Sequence, residues 1–298
     1  MRIVLAVDGS PSSIQARDLV GALPWPAETS ITVVTAYEPP ASWFTYPGAG
    51  AGSWLDEAEA ALRGAADDAL AAAAAPLEAG GRPVDRRVIR GRAADTILAV
   101  ADEVDADLIV LGSRGRGPIA SMLLGSVSAE VADRSRRPVL VSRGDRVARL
   151  VVATDGSPCS ELIPGVIGGW QVFEGVPTLA VSVAPEGSPT FDLLLSAYTM
   201  GSLEPERERE QLRELHDEHA TAMAARLREV AIPAEASVRS GHPAHEIITA
   251  AAETGADLIA TGSRCLHGVD RWVLGSVARD VLVHAQCSVL IVPAASAA

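Results

Sequence analysis

Residues 2–7 of the chain, RIVLAV, form a short apolar run that stops at Asp8-Gly9-Ser10, and comparable runs recur at 31–37, 107–111 and 138–142. Runs this short, rich in Val and Ile and bounded by Gly, Pro and Ser, predict strands buried on both faces. Residues 85–90, DRRVIR, carry more charge and predict an edge strand. Between these runs, Ala and Leu recur at helical spacing near 12–23, 56–79, 93–104 and 126–135. Strands alternating with helices predict a parallel sheet covered on both faces, joined by right-handed crossovers.

The pattern is then written a second time. RIVLAVDGSPSS returns as RLVVATDGSPCS, and ADLIVLGSRGRGPIASMLLGSVSAEV returns as ADLIATGSRCLHGVDRWVLGSVARDV. Asp8 maps to Asp155, an offset of 155 − 8 = 147, and Gly112 maps to Gly262, an offset of 262 − 112 = 150. Such a small net insertion means two copies of one domain, 1–143 and 149–294, with a short connector at 144–148. The fold class is therefore α/β: two tandem doubly wound, Rossmann-like, five-stranded parallel sheets with helices on both faces. The second copy is expected to repeat the element order of the first, with a charged helix near 204–229 that reads as a solvated face. Segments 38–55 and 184–203 contain TYPGAGAG and PEGSP, which predict surface loops near the carboxyl edge of the sheet. Strands 138–142 and 288–292 are expected at sheet edges, available to pair between copies or between chains.

Composition narrows the function. Hydrophobic residues make up 48% of 298, so each half can bury a core, but aromatics are only 4%, leaving Ala, Val, Leu and Ile to fill it. The net charge of −13 opposes general DNA or RNA binding, which depends on neutralising phosphates. All 25 basic residues are Arg, which excludes a Walker-A lysine, a kinase-type strand lysine and Schiff-base chemistry. No apolar run reaches the length of a membrane span, and the N-terminus shows no signal-peptide pattern. Three scattered cysteines, Cys159, Cys265 and Cys287, make no disulfide framework. A cytoplasmic location is expected.

In an open parallel sheet, ligands sit beyond the carboxyl ends of the strands where the strand order reverses. Two segments should meet there: Ala6-Val7-Asp8-Gly9, and Leu111-Gly112-Ser113-Arg114-Gly115 followed nine residues later by Gly125-Ser126-Val127-Ser128. Gly112 and Gly115 let the backbone turn tightly and expose amides. Gly125, Ser126 and Val127 open a helix whose free N–H groups favour an anion, and Ser126 and Ser128 add hydroxyls.

This spacing (Gly, two residues, Gly, nine residues, Gly, Ser) resembles the phosphate motif of the universal stress protein family, in its ATP-binding tandem form. The resemblance runs through nearly the whole chain, including VDGS at Asp8, TDGS at Asp155, and the Gly91-Arg92-Ala93-Ala94 and Gly241-His242-Pro243-Ala244 stretches. It implies that the Asp8 segment and the end of the second strand near Ala36 line an adenosine pocket. The 112–128 stretch would hold ribose and phosphates of ATP, with Mg. By the same resemblance the protein is a homodimer that adjusts growth or stress survival through an unidentified protein partner. In the second copy the corresponding residues are Asp155, Gly156, Val183, Gly262, Ser263, Gly275, Ser276 and Val277, but Cys265 replaces the second glycine. A Cβ there would crowd the ligand or forbid a positive φ.

Other chemistry is weaker. GSRGRG lacks the dinucleotide-binding spacing and follows a late strand. The first copy has no histidine, so no Ser/His or Cys/His arrangement forms within it, and no catalytic residue is expected. His242, His245 and Glu246 sit at helical spacing without further ligands nearby, so no metal site is expected and they read as a solvated helix start. Arg114 and Arg116 could pair with phosphates.

Overall fold

The computed structural model describes residues 1–39, 51–115, 124–185, 205–263 and 274–294. Arg116, Cys265 and most of the two irregular segments lie outside these residues. The chain divides into two compact units, one beginning at Met1 and the other at Val147.

In the first unit the apolar runs become five parallel strands: β1 (Arg2–Ala6), β2 (Ser30–Tyr37), β3 (Val84–Arg90), β4 (Leu108–Gly112) and β5 (Val139–Ser142). Their order is β3-β2-β1-β4-β5. The charged run 84–90 does lie at one edge, where its residues are half-buried or exposed. Leu5 stands in register between Val33 and Val110. Ile3, Val4 and Leu5 are 0% exposed, and burying such side chains is worth about 1.5–3 kcal/mol each. Helices α1 (Pro11–Ala22) and α2 (Ala51–Ala79) cover one face; α3 (Ala93–Glu103) and α4 (Ser126–Arg134) cover the other. Helix α2 begins at 51 rather than 56, so the irregular segment is shorter than its composition suggested.

The second unit holds β6 (Leu150–Thr154), β7 (Thr178–Pro185), β8 (Ala234–Gly241), β9 (Leu258–Gly262) and β10 (Ser288–Val292), in the equivalent order β8-β7-β6-β9-β10. Its first connection departs from the expected repeat. Where the first unit has the 12-residue α1, the second has a 3-10 turn (Ser160–Leu162) and a seven-residue helix, α5 (Ile163–Gly169). Pro164 suits a first helical turn, while Gly165, Gly168 and Gly169 carry the poor helix propensity that shortens it. The remaining helices are α6 (Pro205–Glu229), α7 (Pro243–Thr254) and α8 (Ser276–His284).

Candidate functional site

In both units the strand order reverses beside the first strand, between β1 and β4 and between β6 and β9. That is where the motif residues gather. After β1, Val7 still donates its N–H to Val34 O (3.0 Å), then Gly9 takes φ +76° and turns the chain into α1. Asp8 Oδ1 accepts from Ser10 N at 2.9 Å, and Ser10 caps α1 by accepting from Ser13 N. The Ser10 hydroxyl reaches across to Arg114 O at 3.2 Å, tying the first turn to the phosphate-type loop.

The glycines of that loop do different work. A Cβ on Gly112 would lie 2.5 Å from the carbonyl carbon of Ser12 and 2.6 Å from its oxygen, so this glycine is where α1 rests on β4. A Cβ on Gly115 would lie 2.8 Å from Asp8 Oδ2, which places that carboxylate directly on the loop. Neither glycine has a positive φ, so what each position requires is the close approach of its neighbours. Gly125 donates to Ser113 O (2.7 Å) and caps α4 without any side-chain bond. The amides of Ser126, Val127 and Ser128 therefore have no partner within α4, and none among the other described residues. Ser126 is exposed, whereas the Ser128 hydroxyl donates to Gly112 O at 2.7 Å and is buried. Ser128 thus braces the loop instead of offering a ligand donor. Ala6, Val7, Leu111 and Ser113 are buried walls; Ala36 is half-buried at the end of β2; Arg114 and Gly115 are exposed at the mouth.

Beside Gly9 a cleft of about 340 Å³ opens between α1 and α2, reaching Val7 and Ser13 and lined on the far side by Ala65, Ala69 and Ala72.

The second unit keeps the scaffold and changes the furniture. Gly156 repeats the turn at φ +71°, and a Cβ on Gly262 would meet Ser160 N at 2.9 Å. Gly275 caps α8, Ser276 is exposed, Ser263 and Val277 are half-buried, and Val183 is buried at the end of β7. Asp155 accepts from Ser157 N and Ser160 Oγ, both at 3.0 Å. Burial pushes this carboxyl up, and the hydrogen bonds from Ser157 and Ser160 more than offset it, holding the group below the ordinary carboxylate value. The brace of the first copy is absent by composition, since position 128 + 150 is Ala278.

Two histidines of α6 enter this site, from a helix whose charged positions are largely exposed. The Ser182 hydroxyl gives its one proton to Thr154 O (2.8 Å), so the 2.8 Å contact with His216 is a donation from His216 Nδ1. Burial first, and His219 second, hold the His216 pKa below the ordinary value, with Asp155 pulling the other way. His219 lies edge-on to His216, ring centroids 5.6 Å apart, and its Nδ1 is buried without a hydrogen-bond partner among the described residues. The Ser182–His216 pair is structural: a fully buried serine whose proton is committed to a carbonyl is no nucleophile. The signal was legible as His-x-x-His. With the offset of 150, His216 and His219 stand where the first copy has Ala66 and Ala69. His242 and His245, by contrast, are exposed at the start of α7, and Glu246 accepts from Arg239 Nε at 2.8 Å. No group of three potential ligands for a metal ion occurs among the described residues, and no helix among them is long and apolar enough to cross a membrane. Cys159 is buried and Cys287 is half-buried.

The universal stress protein family model matches twice, over residues 1–143 and 147–293. The chain belongs to the universal stress protein family. A universal stress protein of Mycobacterium tuberculosis is 30% identical over 208 residues, 66% of this chain and 64% of its own length, so the match spans less than two thirds of that relative. One from Thermus aquaticus is 34% identical over 47% of this chain and 97% of its own. A universal stress protein crystal structure from Archaeoglobus fulgidus covers 98% of both chains with a TM-score of 0.63 at 21% identity, which supports the tandem Rossmann-like fold. Among solved universal stress proteins, one determined in complex with cAMP is 32% identical over 47% of this chain, with a TM-score of 0.35.

Proposed function

We propose that the first copy of this universal stress protein holds an adenine nucleotide, ATP with Mg, and reports its presence to a protein partner that adjusts growth or stress survival. The observation that carries this reading is the meeting of Asp8 with Gly115 at the strand reversal, beside the start of α4, which no side chain caps. One helix terminus contributes only about 0.3–1 kcal/mol to an exposed charge, while micromolar affinity needs about 8 kcal/mol. The remainder has to come from several amides acting together, the Ser126 hydroxyl, and a base seated on the small residues around Val7, Gly9 and Ala36. Mg would arrive on the phosphates, and the hard oxygens available to it here are those of Asp8 and Ser126. The chain acts as a holder of nucleotide rather than a turnover enzyme: the first copy has no histidine or lysine to move a proton at the phosphates.

Nucleotide released by heat from the purified protein, together with ATP-Mg titration by calorimetry, tests this. Asp8→Ala combined with Gly115→Glu is expected to weaken binding at least about tenfold, roughly 1.4 kcal/mol. Absence of adenine nucleotide in both measurements on the unaltered chain would refute the reading. A homodimer in cytoplasm is the expected working form, checked by light scattering on the eluting protein.

A further inference from the structure

The turn that follows the first strand is the same in both copies, yet what lies over it differs. In the first, Ala69, with Ala65 and Ala72, leaves the cleft of about 340 Å³ that reaches Gly9 and Val7. In the second, a Cβ built on Gly156 would stand 2.3 Å from His219 Nε2 and 2.5 Å from both Cδ2 and Cε1. Three atoms of one ring at that range mean that the tip of the imidazole rests on the glycine itself.

We propose that His219 plugs the second copy, so that the chain takes one nucleotide, in the first copy only, with Ala69 the residue that keeps that copy open. The proposal rests on the nucleotide reading of the first copy and adds which copy is competent and what decides it. A base that lies on Gly9 in the first copy would, in the second, occupy the volume of the His219 ring. The ring is not a loose surface side chain that a ligand could brush aside. His216, one turn earlier, packs against it edge-on at 80° and is itself fastened through Ser182 to the β6 carbonyl of Thr154. The next residues of α6 along the same face, Ala220, Met223, Ala224 and Leu227, are all buried, which fixes the helix that carries the ring. The reason for inequality is therefore a side chain delivered from the helix opposite the phosphate loop, independent of the residue that replaces the loop's second glycine.

Calorimetric titration with ATP-Mg, backed by photolabelling with an azido-ATP and mapping of the labelled peptides, tests this on the full chain. Unaltered protein is expected to bind one equivalent with label confined to the first copy. His219→Ala is expected to double the stoichiometry and bring label to the second copy, and Ala69→His to abolish binding in the first. Two equivalents in the unaltered chain would overturn the plug while leaving the nucleotide reading intact; none would remove the nucleotide reading and the plug with it. A single equivalent persisting in His219→Ala would overturn the plug alone. Should that variant fail to fold, retention of full binding by Ala69→His overturns it equally.

Discussion

The mouths of the two copies are built on one backbone and finished with different side chains. In the first, small residues line the mouth: Ala69 on the helix, and Thr35 on the strand with a buried hydroxyl that has no partner among the described residues. In the second, the counterpart of Thr35 (182 − 147 = 35) is Ser182, and a chain of donors runs from His216 through it to Thr154. The first copy keeps space over the turn; the second spends it on polar packing. A duplicated domain can thus retain every strand, the reversal point and most of the motif glycines while two helix positions redirect the site.

The comparison breaks most severely where the shared backbone is touched. Gly112→Ala drives a Cβ into the Ser12 peptide and is expected to destabilise the first copy by about 1–3 kcal/mol, the usual range for overpacking. Gly262→Ala should cost less, because its nearest atom is 2.9 Å away rather than 2.5 Å. Hydrogen exchange in β1 and β4, set against β6 and β9, assigns each loss to its copy; equal losses would mean that α1 and the Ser160 turn press equally hard. A smaller effect comes from Ser128→Ala, which gives the first copy the residue that the second already has at 278. Loss of the bond to Gly112 O should destabilise by about 1 kcal/mol and speed exchange at the start of α4. Unchanged exchange there would show that the brace contributes nothing.

The smallest expected effect separates the copies by pH. His216 holds its proton less readily folded than unfolded, so above about pH 6.5 both states are neutral and the group is silent. As the pH falls below that value the unfolded chain gains a proton first, and the stability of the second copy declines until the folded pKa is passed. Thermal melts at pH 7.5 and 5.5 should show a larger drop in the parent than in His216→Gln, and equal drops would contradict the direction. The first copy, without histidine, should contribute no such term.

Much of this was legible in the chain. The short Val- and Ile-rich runs located the central strands to within a residue or two, because strands buried on both faces need no polar alternation. The charge in DRRVIR marked the edge. The element that replaces α1 in the second copy was hidden by the repeat itself: SPCSELIPGVIGG aligns with a helical stretch, and only its proline and glycines betray the shortened turn. Local motifs named Gly112 and Gly115 as special, but the contacts that hold them to glycine, with Ser12 and Asp8, depend on residues a hundred positions away. His216 and His219 escaped because the acid- and arginine-rich sequence around them describes the outward face of α6, while the side chains that matter point inward.

Resting a helix's opening turn on Gly112 and Gly262 has a practical corollary for anyone scanning genomes with the phosphate motif. Its first glycine answers to architecture, so it would survive in a descendant that had given up nucleotides entirely. Sorting occupied from vacant family members by that letter counts scaffolds, and the informative positions are the pair on the overlying helix, where alanine or histidine sets the headroom.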